Sequence, residues 1–396
     1  MLESPVARHL PIPPLPPGSW LGLLGGGQLG RMFCMAAQSL GYKVCVLDPG
    51  ADSPAGAVAD RHLQADYLDT RALEELARVC RAATTEFENV PAGALDFLAE
   101  RCVVSPAGAS VAIAQDRIVE KGFVRECGIP VAPYAAVRSA TELRAVDEQL
   151  YPAILKAARL GYDGKGQARV ARRDEAHAAF EEFGSVPCVL ERRLELAMEL
   201  SVIVARGFDG IATAFPVADN VHRGGILAVS TVPARVSQDV AWRATDSTLK
   251  IAQAMGYVGV LCVEFFLLTD GTLLVNEMAP RPHNSGHWSI DGCVTSQFEQ
   301  QVRVMAGLPL GSVRQHEPVV MINLLGDLWY PDAPSQQPRE PDWTQVLRHP
   351  QAKLHLYGKT RARPGRKMGH VNVLGESVEE AMRVAMRIER DLGIAH

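Results

Sequence analysis

An apolar run, Leu21 to Leu24, passes at once into GGGQLGRM (residues 25 to 32) and then into what reads as a helix, Gln28 to Leu40. A strand that turns through glycines straight into a helix is the opening unit of a parallel sheet. Residues without side chains allow so tight a turn and let a ligand approach the helix N-terminus. Gly25, Gly27 and Gly30 have the G-x-G-x-x-G spacing of a dinucleotide fingerprint. Asp48 closes the next apolar run roughly 20 residues on, where that fingerprint puts its ribose-binding acid. Taken alone, these residues suggest an NAD or FAD enzyme.

From Trp20 to about Ser105, strand-like runs (20–24, 43–47, about 82–87, 102–104) alternate with helix-like ones (28–40, 70–80, 91–100), the pattern of an α/β layer structure. One helix is expected over Ser110 to Cys127, stopped by Gly128-Ile129-Pro130. After Pro133 the texture is α+β, with short paired strands and helices near 140–150, 174–183 and 237–255. From Pro318 come a strand (319–325), a proline-rich loop (331–341), two more strands (353–357, 368–374) and a final helix (377–391). The expected fold class is therefore α/β and α+β in three domains, 18–110, 111–315 and 316–396. The proline-rich stretch MLESPVARHLPIPPLPP, residues 1–17, lacks the apolar core of a signal peptide and is expected to be a disordered tail.

A chain of 396 residues, 47% apolar, can bury large cores without disulfides. Its eight cysteines show no C-x-x-C and sit mostly in apolar runs, as in Val44-Cys45-Val46, so a reducing cytoplasm is expected. The net charge is −5, and no basic stripe is interleaved with aromatics, which argues against nucleic acid as a partner. No apolar run approaches the roughly 20 residues of a membrane helix, so no membrane partner is expected. Small molecules remain.

The most informative stretch is VEFFLLTDGTLLVNEMAPRPHNSGHW, residues 263–288. Asp270-Gly271 between two apolar runs predicts a two-residue hairpin, in which paired positions put Glu264 opposite Glu277 on one face. Facing carboxylates in apolar strands repel unless a cation lies between them, and hard oxygen ligands point to Mg²⁺ shared with nucleotide phosphates. Lys156 ends another apolar strand and is followed by GYDGKGQ (161–167), whose glycines let backbone N–H groups approach a triphosphate. The loop does not have Walker spacing. Glu191 and Glu199 are candidates for ribose and adenine contacts, with surface charges as the plain alternative. Arg281, His283 and Asn284, just past the metal carboxylates, are placed to hold a small anion in line for phosphorylation. Lys359, Arg361, Arg363, Arg366 and Lys367 cluster on a Gly/Pro loop and suit a phosphate monoester, a solvated charge run being the alternative.

Together GGGQLGRM, TTEFENVP (84–91), QDR (115–117), ILK (154–156), GYDGKGQ, ARGFDG (205–210), VNEMAPRPHNSGHW and RPGRKMGHVN (363–372) resemble the biotin-dependent-carboxylase-like ATP-grasp ligases. The resemblance covers about residues 20–375. It implies a Rossmann-like preATP-grasp domain, an ATP-grasp domain and a small C-terminal domain. It further implies a homodimer that uses ATP and Mg²⁺ to phosphorylate bicarbonate and carboxylate aminoimidazole ribonucleotide in purine biosynthesis. A formate-dependent ligase of glycinamide ribonucleotide is the nearest alternative within the group. Carried onto matching positions, ATP would meet Arg117, Lys156, the loop Gly161, Tyr162, Asp163, Gly164, Lys165, Gly166 and Gln167, the segment Glu191, Arg192, Arg193 and Leu194, and Glu199, His222, Asn276 and Glu277. Glu264 and Glu277 would hold Mg²⁺. Arg281, His283 and Asn284 would position bicarbonate. Gln28, Leu29, Glu86, Glu88, Lys359, Arg366 and Lys367 would engage the ribonucleotide. Ala228 departs from the pattern, standing where many members carry a basic residue.

Overall fold

The computed structural model describes residues 12–161, 166–330 and 337–394. Its first sheet has five parallel strands in the spatial order Arg61–Leu63, Lys43–Leu47, Trp20–Leu24, Ala82–Thr85 and Val103–Val104. The first strand in sequence is the middle one in space, because the chain winds outward on one side and then returns to the other. Ligand crevices of open parallel sheets lie at that reversal, beyond the strands' carboxyl ends. Here those ends are Gly25 and Glu86, the residues that follow Leu24 and Thr85.

The single helix expected over 110–127 is two helices, Gly108–Ala114 and Arg117–Glu126. Asp116 breaks it: its carboxylate accepts from the N–H of Ile118 at 3.0 Å and of Val119 at 3.4 Å. An Asp at this position satisfies the free N–H groups of a new helix better than it continues an old one. Part of the tail is also docked, not free, since the Leu15 N–H donates to the Ala306 carbonyl and the Tyr42 hydroxyl donates to Leu15. Residues 1–11 lie outside the described residues.

Next comes an antiparallel sheet of Tyr134–Val137, Cys188–Arg192, Ala153–Ala157 and Gln167–Val170, in that spatial order. It closes over Val137, Leu143, Leu155, Phe180 and Leu190. The largest sheet starts at the hairpin Gly259–Leu268/Leu273–Ala279. It continues through Leu196–Arg206, Ala218–Arg223 and Ile226–Val232 into Val319–Leu325, Lys367–Leu374 and Ala352–Leu356. The strands of the expected third domain thus extend the second domain's sheet without a break. The run VVMINLL (319–325) has both faces buried, which explains why it does not alternate. Val320, Ile322 and Leu324 pack with Ala228, Val229 and the final helix Val378–Asp391, while Val319 and Met321 pack with Ile203, Cys262 and Trp288. All eight cysteines are free thiols and six of them are buried. Among the described residues no helix is long and apolar enough to cross a membrane.

Candidate active site

The hairpin brings Glu264 and Glu277 together, but by a different route from the expected one. Its loop has three residues, not two: Leu268 and Thr272 close it, and Gly271 adopts φ +82°. That geometry offsets the register by one, pairing Phe265 with Val275 and Phe266 with Leu274. A β-bulge then offsets it back, so that Asn276 and Glu277 together face Glu264 and Val263 again pairs with Met278. The two shifts cancel. Burial pushes the Glu264 carboxyl up to about 7, and the nearby Glu277 charge adds to that effect. Glu277 is shifted the other way. Burial disfavours its charge, but the Arg117 guanidinium, whose Nη1 donates to Oε2 at 2.6 Å, outweighs burial and holds it low.

Arg117 opens the helix that Asp116 caps, and its Nη2 donates to the Gly161 carbonyl at 3.1 Å, where the glycine loop begins. Tyr162, Asp163, Gly164 and Lys165 lie outside the described residues. Gly166 takes φ +66°, and Gln167 pairs with Lys156 across the strands. The Lys156 ammonium donates to Glu191 Oε1 at 2.9 Å, and Lys121 Nζ lies 2.5 Å from Oε2 of the same carboxylate. All three side chains are buried. Burial pushes Lys156 below its ordinary value despite the pull of Glu191. Lys121 and the buried Glu120, which accepts from the Met278 N–H at 2.6 Å, were not among the expected site residues. Their signal was available, since Arg117, Glu120 and Lys121 stand at i, i+3 and i+4 of a helix and share one face. Arg192 and Arg193 are exposed, and their N–H groups bond to Pro133 and Pro152, so their side chains are not drawn into the cluster. Leu194 follows them, half-buried.

The glycine-rich turn holds a carboxylate of the chain itself. Glu86 accepts from Gly27 N–H at 2.6 Å and Gly30 N–H at 3.0 Å, the helix N-terminal groups a pyrophosphate would use. A side chain on Gly25 or Gly27 would come within 2.7 Å of Glu86, so these glycines make room for that residue. Burial pushes the Glu86 carboxyl up against the pull of the two N–H groups. Asp48 is also engaged, accepting from Tyr67 Oη at 2.7 Å and Gly50 N–H at 2.8 Å. The dinucleotide reading is therefore not needed to explain either residue. Gln28 is half-buried, and Leu29 is buried in the first domain's core, which leaves its backbone for any ligand.

Arg281 pairs with Glu88 through Nε, joining a residue expected on bicarbonate to one expected on the ribonucleotide. His283 lies between Glu264 Oε1, 3.2 Å from its Nε2, and Ser285 Oγ, 2.8 Å from its Nδ1. The Asn284 side chain is engaged in a mutual amide pair with Asn323 at 2.7 and 3.0 Å, a partner that the apolar run around Asn323 did not suggest. His222 Nδ1 lies 3.1 Å from Glu199. Burial disfavours the charged ring, but the carboxylate outweighs it and raises the ring's basicity. Lys367 reaches the same centre, its charge acting on Glu264, His222 and His283. Lys359 and Arg366 donate to carbonyls of their own loop, those of Lys367 and Arg361, both at 2.6 Å. Ala228 is the extra residue of a bulge beside His222 and packs into the apolar core with Val320 and Ile322.

Residues 19–115 match the ribonucleotide synthetase preATP-grasp domain, 122–298 the ATP-grasp domain, and 319–384 the phosphoribosylaminoimidazole carboxylase C-terminal domain. The chain is 49% identical over 360 residues to the N5-carboxyaminoimidazole ribonucleotide synthase of Brucella melitensis, covering 90% of this chain and 96% of that one. It superposes on an ADP complex of an N5-carboxyaminoimidazole ribonucleotide synthetase with a TM-score of 0.88 and 39% identity, over 95% and 97% of the two chains. The Aspergillus clavatus synthase solved with ADP and 5-aminoimidazole ribonucleotide gives a TM-score of 0.85 at 32% identity, over 96% and 99%. The three-domain fold thus has full-length counterparts, and the chain belongs to the N5-carboxyaminoimidazole ribonucleotide synthase family.

Proposed function

We propose that the chain carboxylates the exocyclic amine of aminoimidazole ribonucleotide, using ATP and bicarbonate. The observation that carries this reading is the convergence of Glu264 and Glu277 with Lys156 on one side and His283 and Lys367 on the other. Two carboxylates and a buried ammonium, with Arg281 and His283 beside them, suit transfer of a phosphoryl group to a small oxyanion. Such chemistry is almost entirely positioning and charge neutralisation.

Mg²⁺ fits the residues present. Glu264 and Glu277 offer hard oxygens, burial and mutual repulsion leave Glu264 needing a cation, and the buried Asn276 Oδ1 has no hydrogen-bond partner among the described residues. Bound there, Mg²⁺ would neutralise the triphosphate. Lys156 would add a second positive charge, held in place by Glu191. The backbone of 161–167 would cover the phosphates, and Glu191 to Leu194 with Glu199 and His222 would line the nucleoside. A bicarbonate oxygen attacks the γ-phosphorus, the bond to ADP breaks, and carboxyphosphate forms. The amine then attacks its carbon, the C–O bond to phosphate breaks, and the nitrogen loses a proton. Arg281, His283 and Asn284 would hold the anion. Gln28, the Leu29 backbone, Glu86, Glu88, Lys359, Arg366 and Lys367 would bind the ribonucleotide. The free thiols support a cytoplasmic enzyme, and we infer a homodimer from family membership.

ADP formation is the test. It is expected only when ATP, Mg²⁺, bicarbonate and aminoimidazole ribonucleotide are all present, and Glu277→Ala is expected to lower it by at least about 100-fold. ADP release that needs formate and glycinamide ribonucleotide instead would overturn the assignment.

A further inference from the structure

A file of buried side chains ends on His283. Ser230, Asn220, Ser201 and Ser285 are each no more than 4% exposed, and none of them belongs to the contacts assigned above. Ser230 Oγ donates to Asn220 Oδ1 at 2.7 Å, which leaves the Asn220 amide to donate from Nδ2 to Ser201 Oγ at 2.9 Å. Having accepted that bond, Ser201 passes its own proton to Ser285 Oγ at 2.8 Å. Ser285 Oγ in turn donates to His283 Nδ1 at 2.8 Å. An independent contact fixes the direction of the last step: the Ser285 backbone N–H, which can only donate, points at the same Nδ1 from 3.3 Å. A ring nitrogen that receives both cannot carry a proton. In a neutral ring the proton then sits on Nε2, the atom 3.2 Å from Glu264 Oε1. The backbone of His283 is clamped as well, its N–H donating to Gln297 Oε1 at 2.8 Å and its carbonyl accepting from Gln297 Nε2 at 2.7 Å.

We propose that Ser285, Ser201, Asn220 and Ser230 are positioning residues that hold His283 Nδ1 as an acceptor and keep the ring proton on Nε2, making that atom a hydrogen-bond donor to the anion in the site. The proposal rests on the reading that His283 faces the reacting anion. Buried partners of this kind orient an active-site histidine and fix its tautomer, and losing one typically costs 10- to 100-fold in function at metal-site histidines. Glutamine can present an N–H at the reach of Nε2, whereas leucine cannot.

The tautomer is read directly by ¹⁵N NMR of histidine-labelled enzyme without ligands, with His283→Gln identifying the missing resonance. A proton bonded to Nε2 and a bare Nδ1 is expected, and a proton on Nδ1 would overturn the proposal. In the carboxylation assay Ser201→Ala is expected to lower kcat on the order of tenfold with the KM for ATP unchanged. In the His283→Gln background it is expected to cost less than about twofold, because its effect passes through the ring. Equal losses in both backgrounds would show a structural role and also overturn the proposal. His283→Gln is expected to keep more activity than His283→Leu. Full activity in His283→Leu would instead remove His283 from the site, a failure of the functional reading that leaves the NMR result to decide the tautomer.

Discussion

Glu120 is fully buried, yet its carboxyl must accept the Met278 N–H that fixes the end of the hairpin. Burial, with the Glu277 charge behind it, pushes this carboxyl from 4.5 up to about 8. A raised carboxyl favours the folded state below its unfolded value and loses that contribution as pH rises through its folded one. Gln keeps the acceptor and has no proton to lose. Glu120→Gln is therefore expected to gain on the native protein by roughly 2–4 kcal/mol between pH 5 and pH 8, read from denaturant unfolding at each pH. A difference that stays constant with pH would refute the assignment. At this scale the sequence was uneven. Lys156, Glu264, Glu277 and Arg281 could be named because each ends or interrupts an apolar run. Glu86 was also named, but its place against Gly27 and Gly30 spans 59 and 56 residues, a separation no spacing pattern can read.

At the scale of elements, the hairpin shows why a right pairing can rest on a wrong turn. Asp270-Gly271 announced the reversal, but Gly271 in a left-handed conformation builds a three-residue loop as readily as a two-residue one. The compensating bulge at Asn276-Glu277 leaves no sequence mark, because it places two polar residues where alternation already broke. The stretch 110–127 was legible as helix but not as two pieces, since the choice lay in the single side chain of Asp116, which starts the second helix, Arg117–Glu126. Its inner face delivers Lys121 to a buried cluster in which one carboxylate serves two ammonium groups. Removing the shared member should cost most. Glu191→Leu is expected to destabilise by about 3–5 kcal/mol and Lys121→Met by clearly less, because Glu191 keeps Lys156 as a partner. Thermal unfolding of both variants checks the order, and a larger loss in Lys121→Met would contradict it.

For the whole molecule, four of the first domain's five strands were legible because parallel strands and their helices alternate locally; the fifth, the three-residue edge strand Arg61–Leu63, was too short to show a pattern. The junction of the second and third domains was not legible, because Ile226–Val232 and Val319–Leu325 pair across about 90 residues. Their shared core, Val229 with Ile322, Val371 and Ile388, makes the C-terminal segment part of the same folding unit. A chain ending at Glu317 would leave the 226–232 strand as an open apolar edge and is expected to aggregate on expression. A soluble fragment with a sharp melting transition would show that the sheet does not depend on those strands.

If the hairpin carboxylates and Lys156 set up phosphoryl transfer to bicarbonate, one oxygen of that anion leaves with the phosphate. Turnover with ¹⁸O-labelled bicarbonate, followed by mass spectrometry of the inorganic phosphate, tests it most directly. One labelled oxygen is expected in each phosphate released with carboxylated product. Carboxylated product accompanied by unlabelled phosphate would contradict it.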